Sequence, residues 1–292
     1  MSAPLALSEV AVGAWRLREW QWSLQERLRW TGECLDRGLS TFDHADLYGH
    51  YEAEGLFGEA LAAQPGLRQR MQLVSKCGIK LVSPARPQHR LKHYDSSAAH
   101  VRASVETSLR QLRTGHLDLL LIHRPDVLMD ADELAQVFEA LRREGKVLHF
   151  GVSNFSPSQW TLLNSRFPLA THQVEASALH LEPFTDGTFD LAQQQRWRPM
   201  LWSPLAGGRL FTANDERSQR VRGVMEAMAA GLGCSLTALA LAWLRRHPCR
   251  PVPVLGSRRL GALDDAQQAL GLSLSREQWY AVWEASLGHP VA

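Results

Sequence analysis

The stretch LDLLLIHRPDVLMDADELAQVFEALRREGKVLHFGVS, from Leu117 to Ser153, holds an apolar run, a helical pattern and a second apolar run. Leu117–His123 is a strongly apolar run, and Leu148–Ser153, L-H-F-G-V-S, is a shorter one in which apolar residues alternate with polar or small ones. Both read as strands, and as parallel neighbours they need a helix to carry the chain back between them. Ala131–Glu144 supplies that helix, with apolar residues at spacings of three and four.

The same unit recurs in both directions. Strands are expected at Val10–Ala14, Ser40–Asp43, Gln72–Lys76, Leu117–His123, Leu148–Ser153, Ala170–Glu175, Met200–Ser203 and Val252–Gly256. Helical patterns run over Leu24–Arg37, Ala53–Ala63, Ala98–Leu112, Ala131–Glu144, Pro157–Asn164, Thr188–Gln195, Arg217–Gly231 and Arg259–Leu270. An extra helix, Leu236–Arg246, precedes the last strand. No segment rich in Pro, Gly and Ser is long enough to be a linker, so residues 1–292 are expected to form a single domain. Eight strand–helix repeats fit a closed (β/α)8 TIM barrel. A doubly wound dinucleotide sheet would carry a G-x-G-x-x-G turn after its first strand, and none occurs here.

The 292 residues carry 32 Lys and Arg against 30 Asp and Glu, a net charge of +2, with 45% apolar content. Mixed charges without a long like-signed run give no reason to expect a nucleic acid or a membrane surface as partner. The longest apolar stretches, such as Ala238–Leu244, fall well short of the roughly 20 residues of a membrane span. Met1-Ser-Ala-Pro4 lacks the basic and apolar regions of a secretion signal, so a cytoplasmic location is expected. Cys34, Cys77, Cys234 and Cys249 lie far apart, without a C-x-x-C pair, and are expected to be reduced thiols. A barrel of this size is stable alone, which makes a monomer the default.

In a barrel the chemistry belongs at the C-terminal ends of the strands. Strand two ends in Phe42-Asp43-His44-Ala45-Asp46-Leu47-Tyr48-Gly49, strand three in Ser75-Lys76-Cys77-Gly78, and strand four in His123-Arg124-Pro125-Asp126. Any one of these polar residues could simply face solvent. Tyr, Lys, Asp and His converging on one rim suggest a proton donor, with the Tyr phenol made more acidic by a neighbouring ammonium. The Asp would hold the Lys ionised, and the His could polarise a carbonyl. Such a set suits carbonyl reduction. A metal hydrolase on Asp43, His44, Asp46 and His123 fits less well, because adjacent side chains in an extended strand point to opposite faces. No metal is expected.

The order Asp43, Tyr48, Lys76, His123 resembles the aldo-keto reductases. So do Gly13-Ala14-Trp15-Arg16, Leu120-Leu121-Ile122-His123-Arg124-Pro125, Gly151-Val152-Ser153-Asn154-Phe155 and Trp202-Ser203-Pro204-Leu205. The resemblance covers nearly the whole chain and is closest to compact bacterial oxidoreductases of that family. It implies an NADPH-dependent reductase of aldehydes or ketones, with Tyr48 as general acid, Lys76 and Asp43 tuning it, and His123 orienting the carbonyl. It further implies that Ser153, Asn154 and Gln173 hold the nicotinamide carboxamide and that Trp202 stacks on the nicotinamide. Ser203, Leu205 and Gly207 would lie along the pyrophosphate, and Gly13, Trp15 and Arg16 match further cofactor-site positions. Taken singly, Ser153 and Asn154 also read as a helix cap, and Gln173 and Trp202 as interior residues.

The segment Gly256-Ser257-Arg258-Arg259 enters a helix and could hold the adenosine 2′-phosphate. It departs from the family pattern, having Ala262, then Asp265 and Ala266, where many members carry an Arg and then a Glu-Asn pair. Arg258 or Arg259 would then carry the phosphate and Asp265 the adenine amine, so NADH ranks below NADPH. Trp20, Trp22, His50, Tyr51 and Trp202 are expected as an aromatic wall around a small carbonyl substrate. The resemblance also admits a slow-turnover cofactor sensor on the same fold.

Overall fold

A computed structural model describes residues 4–292; Met1, Ser2 and Ala3, read above for a leader, lie outside the described residues. Eight parallel strands follow the expected runs. These are β1 Ala11–Gly13, β2 Thr41–Asp43, β3 Gln72–Cys77, β4 Leu117–Ile122, β5 Val147–Ser153, β6 His172–Glu175, β7 Met200–Trp202 and β8 Val252–Leu255. Each pairs with its successor and β8 with β1, which closes the order into a (β/α)8 barrel. By chain contacts there are two compact units, Met1–Gln173 and Val174–Ala292.

In Met1–Gln173 the register sets the strand ends side by side. Gly13 lies opposite Phe42's neighbour Asp43, Lys76 opposite Leu121, and Ser153 opposite Gln173. Side chains alternate along β3, so Lys76 and Ser75 face opposite ways. Ser75 meets Glu54 on the helix Ala53–Ala63, while Lys76 meets Asp43. Helix Ala131–Arg143 begins at Asp130, whose carboxylate accepts from the backbone of Asp132 and Glu133. It buries Ala131, Leu134, Val137, Phe138 and Leu141 as one stripe. Phe138 stacks on Phe150 of β5 with centroids 4.3 Å apart. Truncating it to Ala would cost about 3–5 kcal/mol, most of it from lost burial and the cavity left behind. Gly151 is required by space, since a Cβ there would stand 2.3 Å from the Thr171 carbonyl oxygen.

In Val174–Ala292, β7 and β8 pair in register, Met200 with Val252. The extra helix before β8 spans Leu236–Arg245. A second extra helix, Arg276–Leu287, closes the chain and was not among the expected elements. Its signal is a capping box, Ser275 with Gln278, ahead of Trp279, Val282 and Trp283. Trp279 stacks on Trp243, and each indole N–H donates to the other's backbone carbonyl. A short hairpin, Ile79–Lys80 with His93–Tyr94, was also unforeseen; strands of two residues carry no periodicity. No single helix among the described residues is long and apolar enough to cross a membrane.

Candidate active site

Asp43 ends β2, Lys76 is the penultimate residue of β3, and His123 follows β4. The Lys76 ammonium has three protons and uses all of them. It donates to Asp43 Oδ2 at 2.7 Å, to the His44 carbonyl at 2.8 Å and to Tyr48 Oη at 3.1 Å. Asp43's other oxygen, Oδ1, accepts from Gln173 Nε2 at 2.9 Å. The His123 ring meets Tyr48 edge-on, 5.8 Å between centroids.

Tyr48 is delivered by an unusual turn. Gly49, His50 and Tyr51 follow it with φ of 57°, 57° and 72°, three left-handed residues in succession. Each non-glycine residue held there costs on the order of 1–2 kcal/mol, and such local cost persists where surrounding contacts fix a functional side chain. At Gly49 a side chain is excluded twice over, by φ and by Arg18 Cβ, 2.8 Å from where a Cβ would stand.

The electrostatics follow from burial. Burial pushes the Tyr48 phenol up; the Lys76 charge pulls it back and the Asp43 charge opposes that pull. The net direction is upward from 10.0, which corrects the expectation of a phenol made more acidic than usual. Desolvation costs the phenolate more than one ammonium returns, so the phenol carries its proton at neutral pH. Burial alone would lower Lys76, but the charges of Asp43 and Tyr48 and the bonds to both outweigh it and hold the ammonium above its ordinary range. Burial, and then Lys76, Arg124 and Lys92, depress His123 well below 6.5, so its ring is neutral.

Behind β3 lies a second polar cluster, of which His44, Asp46 and Cys77 stand in the strand-end motifs and only Glu54 went without a sequence signal. Glu54 is buried, accepts from Ser75 Oγ at 2.6 Å, and is raised by burial to about 7. Asp46 has a buried, unpartnered Oδ1 and is raised well above 3.8 by burial and by Glu54. Cys77 is raised well above 9.0 by burial, and further by the charges of Asp46, Glu54 and Asp95. His44 faces Phe57 at 4.6 Å with neither ring nitrogen bonded and is pushed down to about 3 by burial. Asp43 and His44 thus serve different surroundings, as adjacency in a strand requires.

The carboxamide candidates of Met1–Gln173 gather around the four residues. Ser153 and Gln173 are buried. Asn154 is left-handed at φ 60°, an orientation Asn tolerates, and its amide donates to Ser153 Oγ at 2.8 Å and to the His123 carbonyl at 3.3 Å. Neither Ser153 nor Asn154 serves as a cap, because Ser156 caps the following helix through a box with Gln159. Trp15 is exposed, with the Arg16 guanidinium 5.1 Å over its ring, and Gly13 ends β1. Trp20 and Trp22 pack on each other at 4.6 Å and on Trp30, which reaches Phe42. Tyr51 accepts from Leu81 N–H at 2.9 Å, with the Arg86 guanidinium 4.5 Å over its ring. Its hydroxyl is therefore engaged by backbone, and its ring by Arg86 and, edge-on, by His89.

In Val174–Ala292, half-buried Trp202 ends β7, and the chain then turns through left-handed Ser203, Ala206, Gly207 and Gly208. Leu205 is half-buried, and a Cβ added at Gly207 or Gly208 would meet nothing within 4 Å. The loop's backbone is thus open at these glycines. Beyond β8, Gly256, Arg258 and Arg259 are exposed, Ser257 Oγ accepts from Arg259 N–H at 3.2 Å, and Asp265 is half-buried. The helix Leu260–Gly271 starts without a side-chain cap.

The chain matches the aldo/keto reductase family over residues 9–286. It belongs to that family. This aldo-keto reductase is 47% identical to an oxidoreductase of Bacillus subtilis, YcsN, over 100% of its own length and 98% of the relative's. It is 41% identical to a 6-dehydroglucose reductase of Agrobacterium fabrum over 100% and 98% of the two chains. Among solved structures it is similar to a glycerol dehydrogenase of Gluconobacter oxydans, with TM-score 0.84, 26% identity and coverage of 98% and 94%. An aldo/keto reductase of Klebsiella pneumoniae, in complex with NADP and acetate, matches with TM-score 0.79, 27% identity and coverage of 98% and 93%. As an aldo-keto reductase, the protein is an NAD(P)H-dependent oxidoreductase acting on small carbonyl compounds.

Proposed function

We propose that the enzyme reduces an aldehyde or ketone to the alcohol with NADPH, and that Tyr48 is the general acid. The observation that carries this is the Lys76 ammonium, buried and donating at once to Asp43, the His44 carbonyl and Tyr48. A cation fixed there stabilises negative charge on the phenol oxygen as its proton leaves. Asp43 keeps Lys76 charged at a position where burial would otherwise neutralise it. His123, neutral, orients the carbonyl oxygen toward Tyr48 Oη, which gives up its proton as that oxygen becomes a hydroxyl.

The residues fit a nicotinamide nucleotide: buried Ser153 and Gln173 with Asn154 for the carboxamide, Trp202 as an apolar face, and the Ser203–Gly207 loop for the pyrophosphate. Arg258 and Arg259, with Asp265, are assigned to the adenosine end and favour the 2′-phosphate. NADPH, when bound, supplies the hydride; the protein supplies orientation and exclusion of water. The enzyme is read as one domain working as a monomer in the cytoplasm, where its four unpaired cysteines, three of them buried, remain thiols.

Titration with NADPH and NADH, followed by tryptophan fluorescence, and then loss of reduced-nicotinamide absorbance with a carbonyl panel test this reading. The relatives named 6-dehydroglucose reductases put a sugar aldehyde at the head of that panel. NADPH binding with rapid turnover is expected. Tyr48→Phe should remove most turnover and leave NADPH affinity nearly unchanged. Tight binding without turnover would replace the reductase with a cofactor sensor, and equal activity in the variant would end the role of Tyr48.

A further inference from the structure

Gln173 lies 130 residues from Asp43 in sequence, yet its side-chain amide is committed to that carboxylate. An ionised carboxylate only accepts, so the amide must turn Nε2 toward Asp43 Oδ1, and its acceptor role stays with Oε1. From this amide an unbroken chain of hydrogen bonds reaches the phenol: Gln173 Nε2 to Asp43 Oδ1 at 2.9 Å, Lys76 Nζ to Asp43 Oδ2 at 2.7 Å, and Nζ to Tyr48 Oη at 3.1 Å. Gln173, Asp43 and Lys76 are all buried, so a carboxylate oxygen left there without a donor is costly. We propose that Gln173 is a positioning residue of the proton relay: its amide holds and partly neutralises Asp43, and so sets how strongly that carboxylate opposes ionisation of Tyr48.

This rests on the reading of Tyr48 as the acid, and it gives Gln173 a task beyond the nicotinamide carboxamide. The charged groups facing the phenol are Lys76 and Asp43, with Arg124 following β4. Glu54 lies across β3 from Lys76, and His123, beside the phenol, is neutral. With the amide gone, Asp43 Oδ1 would be buried without a donor, and more of its charge would bear on Lys76 and Tyr48. Both effects make the phenol harder to ionise.

The test is a tyrosinate absorbance titration of nucleotide-free protein, with Tyr48 isolated by subtracting the same titration of Tyr48→Phe. Gln173→Met and Gln173→Leu remove the donor at similar size, and Gln173→Glu adds a charge beside Asp43. The expected Tyr48 ionisation rises from wild type to Met and Leu by about one pH unit, and further for Glu. Either apolar variant carries the comparison if the other fails to fold. A parallel tenfold fall in kcat at fixed pH, with KM for the carbonyl little changed, is expected. Unmoved Tyr48 ionisation in the apolar variants would overturn the proposal, even if NADPH affinity fell, since Gln173 would then serve the nucleotide alone. If instead the phenol moves in this order while wild type shows no carbonyl turnover, the reductase reading fails and the positioning role stands.

Discussion

Glu54→Gln gives a sharp test of how burial acts in this protein. The Glu54 carboxyl is 3% exposed, bonded by Ser75 Oγ, and raised by burial from 4.5 to about 7. Between those values the unfolded chain has released the Glu54 proton and the folded chain still holds it. The folded state therefore binds more protons, and stability falls as pH rises through the window. Below pH 4.5 the cost is absent; above pH 7 it is fully developed. At about 1.4 kcal/mol per pH unit, the span from 4.5 to about 7 amounts to about 3 kcal/mol. Gln is neutral at every pH, and its Oε1 can still accept from Ser75. Urea unfolding from pH 5 to 8.5, at unchanged m-value, should show the variant gaining on wild type, by little at pH 5 and by about 3 kcal/mol at pH 8.5. His44 and His172, pushed down to about 3 by burial, have the opposite sign: their stability is lost as pH falls below 6.5. They are present in both proteins and cancel in the difference. A stability difference that stays flat across this range would refute the reasoning, because the buried carboxyl would then carry no proton linkage.

Lys76→Met leaves Asp43 as an uncompensated buried charge, so it should lose about 3–5 kcal/mol of stability and raise the Tyr48 ionisation; adding Asp43→Asn should recover much of the stability, as urea midpoints and tyrosinate titration would read. Gly49→Ala should lose about 1–2 kcal/mol from φ alone, with a larger loss of kcat from a displaced Tyr48; kinetics unchanged from wild type would refute the role given to the turn. Arg258→Ala and Arg259→Ala should weaken NADPH more than NADH in fluorescence titration; equal losses would remove both from the 2′-phosphate.

Much of this was legible in the chain itself. The eight expected strands match the barrel strands within a residue or two; the clearest, Leu117–Ile122 and Val252–Leu255, are apolar runs of the kind that strands buried on both faces leave and that tertiary context has little room to override. The polar residues ending those runs were legible for the same reason: Asp43, Lys76 and His123 stand out against Phe42, Val74 and Ile122. The helix Arg276–Leu287 has its local signal in the Ser275–Gln278 box.

What only the tertiary structure decided are relations between residues far apart in sequence. Whether Gln173 bonds Asp43 depends on the register of β5 on β6 and on closure through β2 and β3, which no local pattern encodes. The left-handed turn after Tyr48 is imposed by contacts, since His50 and Tyr51 would not adopt it unaided. The sign of the phenol's perturbation is also a tertiary property. Sequence places an ammonium beside Tyr48, but burial opposes it, and the depth to which a group is taken out of water is set by everything packed around it.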